Sequence, residues 1–173
     1  GLAGMFAVSG KTSLRDFEAY LHTVQALEEH PGMSYIGYIP RVPRADVPSF
    51  QVQVQREDSS FALRAKGADP DYAYPYLYVV PRDQRSTAAL GLDFSSVPER
   101  WSAMQQARDT GESIATAKHH YLTGQRTTPI IAVFTPVYDL AQPTQTVEQR
   151  RAALRGYVFS MYHVDQIVER VMG

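Results

Sequence analysis

Cysteine is absent from the 173-residue sequence, which excludes disulfide bridges, thiolate nucleophiles and thiolate metal sites. No charge of one sign dominates, because 17 Lys and Arg residues balance 18 Asp and Glu residues. The net charge of −1 therefore gives no electrostatic basis for binding nucleic acid or an anionic membrane surface. Long hydrophobic runs are also missing, since the longest, residues 130–134, falls far short of the roughly 20 residues that a spanning helix needs.

The sequence also lacks the short motifs that mark common enzymes. It contains no G-x-S-x-G elbow, no phosphate-binding P-loop, no G-x-G-x-x-G and no H-E-x-x-H. His119 and His120 are adjacent, and in a strand they would point to opposite faces, so they could not chelate one ion together. The sequence therefore predicts neither catalysis nor a metal site, and it indicates no cofactor.

Residues 74–116 form the best-patterned stretch of the chain. Aromatic and β-branched residues predict a buried strand over 76–80, and an apolar step over 88–92 leads to Asp93. Ser96 and Glu99 have the spacing of a capping box around Pro98, which is tolerated in a first helical turn. Apolar residues then recur at helical spacing until Gly111, a typical helix stop.

The rest of the chain predicts an α+β fold with an antiparallel sheet, because the strands cluster in the second half without long helices between them. A stripe of apolar residues predicts a long amphipathic helix over residues 13–29, and a helix is favoured over a strand for 43–55. Helices are also expected over 147–154 and 164–172. The expected strands are 33–39, 61–64, 113–116, 118–122, 130–138 and 155–162.

Four tyrosines at alternate positions stand out as a candidate binding surface. Tyr72, Tyr74, Tyr76 and Tyr78 project to one face if their segment is extended. Tyrosine combines a broad apolar ring with one hydroxyl, which suits the orientation of a small ligand, but the same rings would also fill a core under a helix. Asp93 has two readings as well: its carboxylate accepts N–H groups of its own turn, or it fixes a pocket rim.

The residues that we expect to contact a ligand lie between positions 74 and 138. Thr116 adds a hydroxyl from a facing strand, and Phe134 adds an apolar wall. The full candidate set is Tyr74, Tyr76, Tyr78, Val80, Leu90, Leu92, Asp93, Thr116 and Phe134.

An ordered series of short motifs resembles the CHASE domain. The matching pieces are residues 38–43 (YIPRVP), 75–81, 89–93, 107–111, Thr116, 135–138, 155–159 and 164–165. The resemblance implies a sensor module without catalysis of its own, held outside the cytoplasm between two membrane helices that flank this chain. It implies a periplasmic position in an inner-membrane receptor whose output is a histidine kinase or a cyclic di-GMP enzyme.

The resemblance also implies a fold and a ligand site. The fold is a long N-terminal helix, residues 1–30, packed on a PAS-like core, residues 31–173, with an exit strand and helix over 155–173. In the cytokinin receptors of this family a strand Asp reads the adenine ring. Pro81 matches that position here, so recognition of adenine by that route is not expected, whereas Thr116 matches the receptors' strand Thr.

Two hypotheses follow for the domain's role. In the first, it binds a small molecule of unknown identity and passes the signal through its terminal helices, as a homodimer joined by the N-terminal helix. In the second, it binds no ligand and only spaces and dimerises the receptor.

Overall fold

The computed structural model describes residues 32–116, 119–123 and 126–165, together with Val168 and Met172. Within these residues the core is an antiparallel sheet in the order β4-β1-β8-β7-β5, with β6 also paired to β7. Its strands are β1 (Met33–Pro40), β4 (Tyr78–Val80), β5 (Ile114–Ala115), β6 (His119–Thr123), β7 (Arg126–Tyr138) and β8 (Leu154–His163). A separate two-stranded sheet pairs β2 (Val42–Pro43) with β3 (Tyr72–Ala73).

The central strands alternate their side chains between two apolar layers, as a strand buried on both faces must. In β8, Tyr157 and Phe159 belong to one layer and Val158 belongs to the other. Phe159 lies opposite Phe134 of β7 and opposite Gly37 of β1. Gly37 is required at this point, because a Cβ there would overlap the ring of Tyr76 and the carbonyl oxygen of Tyr78.

The first layer lies between the sheet and helix α3 (Pro98–Thr110), in which Ala103, Met104 and Ala107 are buried. The helix starts with Pro98, whose missing N–H needs no partner in a first turn. It ends at Gly111, whose left-handed φ of 78° allows its N–H to reach the carbonyl of Ala107. The predicted stop at Gly111 is therefore confirmed.

The second layer lies on the opposite face of the sheet. Phe50 and Val54 of helix α1 (Val47–Gln55) pack there against buried residues that include Phe61 and Leu77. The helix predicted over 43–55 is thus confirmed, although its first residues form a 3-10 turn (Arg44–Asp46).

Two further helices are α2 (Gln84–Thr87) and α4 (Val147–Ala153). Helix α4 begins with a reciprocal cap, in which the Thr146 hydroxyl accepts from the Gln149 N–H and the Gln149 side chain accepts from the Thr146 N–H. The predicted succession of a helix over 147–154 and a strand over 155–162 is confirmed.

The tyrosine segment departs from the predicted strand over 76–80. Regular pairing with β1 begins only at Tyr78, because residues 74–76 bond instead to the loop after α2. The N–H of Tyr76 donates to the carbonyl of Leu92, and the N–H of Phe94 donates to the carbonyl of Tyr74. The predicted single face of tyrosines is therefore wrong. Tyr74 and Tyr76 pack in the first layer, whereas Tyr78 packs in the second.

Two local predictions are wrong. Ser96 is not the cap of α3; Val97 holds that position without a side-chain bond, because the Ser96 hydroxyl donates to the carbonyl of Asp93. Residues 61–64 form no strand, and Arg64 makes only an isolated bridge to Leu92. The α+β class and the antiparallel sheet are confirmed, while the helix predicted over 13–29 and most of that over 164–172 lie outside the described residues.

Candidate functional site

Most residues of the predicted ligand set are packed inside the protein. Tyr76 and Phe134 belong to a layer of aromatic rings under α3, where Phe94 lies 5.0 Å from Tyr76 and 6.3 Å from Phe134 between ring centroids. Leu90 and Leu92 are partly buried against the same layer. The structure therefore brings these residues together as interior packing, and it separates them from Tyr78 and Val80 on the opposite face.

Asp93 is fully buried and holds the turn that carries it. Its Oδ1 accepts from the N–H of Tyr74 (3.3 Å), the N–H of Ser95 (3.0 Å) and the Ser95 hydroxyl (2.8 Å). Its Oδ2 lies 3.6 Å from the guanidinium of Arg44. The expected acceptance of N–H groups from the turn is confirmed.

Thr116 directly follows the short strand β5. Its N–H donates to the carbonyl of Ala132, and its hydroxyl accepts from the N–H of Ala132 at 3.1 Å. The hydroxyl therefore extends the pairing with β7 by one bond, in a position that is 7% exposed.

The structure contains a groove of about 530 Å³ beside Tyr74, which we call the Tyr74–Trp101 groove. One side is the loop of residues 68–72, and another is a face of helix α3. Arg41 and the end of α4, at Arg151 and Ala152, line the rest. The volume lies within the range of about 300–1,000 Å³ that is usual for small-molecule sites.

Aromatic rings and one face of helix α3 form the wall of this groove that lies next to the core. Trp101, Gln105 and Arg108 follow each other at intervals of four and three residues, so they share one face of α3. The Trp101 ring packs on Tyr74 at 5.2 Å between centroids, and Tyr74 in turn lies 6.0 Å from Tyr157 in the core. The apolar side of the groove is therefore anchored to the interior.

The hydroxyl of Tyr74 is fixed and protonated. It donates to Oδ2 of Asp69 at 2.9 Å, and Asp69 Oδ1 accepts from the backbone N–H groups of Asp71 and Tyr72. Burial raises the pKa of Tyr74 well above its ordinary value, and the nearby phenol of Tyr157 adds to the effect. Tyr74 thus connects the interior to the loop wall at any physiological pH.

Three arginines line the groove, and two of them are already paired. Asp109 accepts two hydrogen bonds from Arg151, both of 2.9 Å, and a third of 2.8 Å from Nε of Arg108. These bonds, those from Arg151 first, hold the pKa of Asp109 well below its ordinary range. The third arginine, Arg41, stacks on the ring of Tyr72 at 3.8 Å. Its NH1 donates to the carbonyl of Arg151 at 2.6 Å.

Sequence reasoning singled out Tyr72 and Tyr74 but missed the other residues of the groove. Trp101 is one of the apolar residues at helical spacing before Gly111, and in the structure it is half-buried at the edge of the buried face of α3. The intervals from Trp101 to Gln105 and Arg108 were a usable signal. The approach of Arg41 to Tyr72 gave no signal in the sequence, because it arises only when β2 pairs with β3. No group of three His, Asp or Glu side chains in the described ranges is placed to hold a metal ion.

The profile of the CHASE domain matches residues 10–173, which is nearly the whole chain. The chain belongs to the CHASE domain family. CHASE domains are extracellular sensor modules of membrane receptors and are not catalytic themselves. The resemblance drawn from the ordered motifs is confirmed, and so is a role in signal transduction.

One curated relative of this CHASE domain is named Probable histidine kinase 4, from Oryza sativa subsp. japonica. The two sequences are 30% identical over 146 residues, which is 83% of this chain and 14% of the relative. The chain therefore spans only a small part of that relative's length. In the described part of the CHASE domain, no helix has the length and apolar character needed to cross a bilayer.

Proposed function

We propose that this CHASE domain senses a small organic molecule in the Tyr74–Trp101 groove. The observation that carries the proposal is the groove itself, of about 530 Å³, whose lining combines the aromatic rings of Tyr72, Tyr74 and Trp101 with charged and amide side chains. Tyr74 belongs both to this groove and to the ligand set predicted from the sequence.

The interior layer remains the other location for a ligand. Tyr76, Leu90, Leu92, Thr116 and Phe134 are proposed there from the sequence. A ligand between them would have to displace rings that are in contact and part the hydrogen bond of Thr116 to Ala132. The groove needs no such rearrangement, and for that reason we favour it.

A signal could leave the groove through the chain that follows it. Arg151 and Ala152 line the groove and lie in the last turn of α4, which is followed at once by β8. Strand β8 ends at His163 and continues into the helical residues Val164 and Asp165. We propose that ligand binding changes the balance between two positions of this exit segment. Such coupling amounts to about 1–3 kcal/mol in typical allosteric proteins.

The wider receptor is proposed on the same basis. The domain lies in the periplasm, between membrane helices that flank this chain, and it controls a cytoplasmic histidine kinase or a cyclic di-GMP enzyme. The histidine kinase named above favours the first output. A PAS-like arrangement of the core and dimerisation through residues 1–30 complete this proposal, and residues 1–30 lie outside the described part of the chain.

A thermal-shift screen of small metabolites tests the location. A compound present at 100 times its Kd stabilises the folded state by about 2.7 kcal/mol, which raises Tm by roughly 5–10 °C for a chain of this size. We expect Trp101→Ala and Gln105→Ala to remove that rise, since both side chains line the groove. Thr116→Val is the matched interior variant, and it should keep the ligand-dependent rise in Tm. Loss of the response in Thr116→Val alone would place the ligand in the interior and contradict the groove.

A further inference from the structure

We propose that the Tyr74–Trp101 groove takes a monocarboxylate that carries a flat ring, with Arg41 binding the carboxylate. This inference rests on the proposed function and names the chemical class of its ligand. Three features of the groove carry it: the unengaged edge of one guanidinium, the rings beside it, and two carboxylates on the loop wall.

Arg41 is the cation of the groove whose hydrogen-bonding edge is open. Its backbone N–H donates to the carbonyl of Arg155 at 2.8 Å, which fixes its position next to β8. The Cζ atom of its guanidinium lies 3.8 Å from the centroid of the Tyr72 ring, and among the described residues only NH1 donates, to the carbonyl of Arg151. Within the described ranges no carboxylate forms an ion pair with Arg41. A stacked guanidinium of this kind offers parallel N–H groups, which match the two oxygens of a carboxylate.

The other two arginines are not available in the same way. Arg108 and Arg151 share the carboxylate of Asp109, and both form hydrogen bonds to it. A ligand anion would have to compete with Asp109 for them. The groove therefore provides one site for one negative group, at Arg41.

The rings place the apolar part of the ligand. Trp101 lies against Tyr74, and both line the groove on the side of helix α3. The indole N–H of Trp101 and the amide of Gln105 form no hydrogen bond with any described residue, so they remain able to bond a ligand. Stacking of a flat ring on such side chains contributes both affinity and orientation.

Asp69 and Asp71 restrict the charge of the ligand. Both line the groove on the loop wall, and the carboxylate of Asp71 forms no ion pair within the described part of the chain. A second negative group on the ligand would meet like charge there, which disfavours phosphate esters and dicarboxylates. A single carboxylate at Arg41 avoids this repulsion.

Phenylacetate and phenylacetamide make a matched pair of probes, because they differ in charge and share the ring. We expect phenylacetate to bind the 173-residue chain at least 10-fold more tightly than phenylacetamide in NMR titrations, with shifts at Trp101 and Gln105. Arg41→Gln should reduce that preference to less than 3-fold. Arg41→Lys keeps the charge but loses the paired N–H groups, and an intermediate preference is expected. Arg82→Gln is the control, because Arg82 pairs with Asp58 outside the groove.

The inference is overturned if the two probes bind equally, or if the preference for phenylacetate is unchanged in Arg41→Gln. Equal binding with shifts at Trp101 would leave the groove as the sensor site and reject only the carboxylate. If neither probe binds while a neutral metabolite shifts the NMR signal of Trp101, the carboxylate preference is rejected and the groove remains the proposed sensor site. If no compound perturbs Trp101 or Gln105, both the inference and the proposed function fail.

Discussion

Asp93 shows how one buried carboxylate determines the shape of the groove wall. It bonds the N–H of Tyr74 and pairs with Arg44, and Arg44 in turn donates to the carbonyl oxygens of Gly67 and Asp69. Gly67 is needed beside it, since a Cβ there would overlap the side chains of Asp93 and Ser95. The loop of residues 67–72 is therefore held by one buried acid and one arginine.

Asp93→Ala should lower the free energy of unfolding by about 2–3 kcal/mol, because buried N–H groups lose their acceptor and Arg44 loses its counter-charge. Urea unfolding followed by circular dichroism measures the change. Asp71→Ala removes an exposed carboxylate from the same loop and should stay within about 0.5 kcal/mol of the parent protein. Similar losses in the two variants would contradict the structural role given to Asp93.

Single residues were predictable from the sequence where their partners lie close along the chain. The turn role of Asp93 followed from its place before a helix, and Ser95 two residues later confirms it. Arg41 gave no such signal, because a helix and a loop lie between Arg41 and Tyr72 in the sequence. A long-range contact of this kind depends on tertiary structure, which one sequence does not reveal.

At the scale of elements, helices α3 and α4 are joined at the groove by Asp109. Its carboxylate bonds Arg151 of α4, and its carbonyl oxygen accepts from Nε of Arg150 at 2.7 Å. The hydroxyl of Tyr138 adds a bond from β7 to the carbonyl of Arg108. The end of α3 is thus fixed to both α4 and the sheet.

Asp109→Asn should destabilise the domain by about 1 kcal/mol at pH 7, since Arg151 is half exposed and solvent screens the pair. The folded-state pKa of Asp109 is depressed, so the contribution is complete above the unfolded value near 3.9 and is lost as pH falls through the folded value. The difference in the free energy of unfolding between Asp109→Asn and the parent protein should therefore narrow progressively as the pH falls below about 3.9. Glu112→Gln, an exposed neighbour, is the control; a difference independent of pH would contradict this account.

The elements themselves were largely predictable, and the errors have physical causes. Strands β1, β7 and β8 have strong apolar patterns, and Gly111 marks the end of α3. The prediction that the alternate tyrosines share one face was wrong, because alternation in the sequence does not reveal which backbone groups pair by hydrogen bonds. Residues 74–76 pair with the loop at 91–94, so the segment is not one continuous strand. The cap of α4 carried a readable signal in Thr146 and Gln149 that was not used.

At the scale of the whole molecule, the antiparallel sheet connects the groove to the segment that leaves the domain. Strand β8 pairs with β1 on one side and β7 on the other, so the proposed route from the end of α4 runs along the centre of the sheet. The α+β class followed from the order of elements, and the family followed from the ordered motifs. The groove could not be predicted from the sequence, because it forms where a loop, two helices and Arg41 meet in the folded protein.

The fluorescence of Trp101 tests the central claim most directly, because it is the single tryptophan of the sequence and it lines the groove. We predict that each compound found to stabilise the domain shifts or quenches this emission. The titration should be half-saturated at the Kd measured by thermal shift. Tyr74→Phe, which removes only the hydroxyl bonded to Asp69, should weaken ligand binding. Full thermal stabilisation with unchanged Trp101 emission would place the ligand elsewhere and contradict the account.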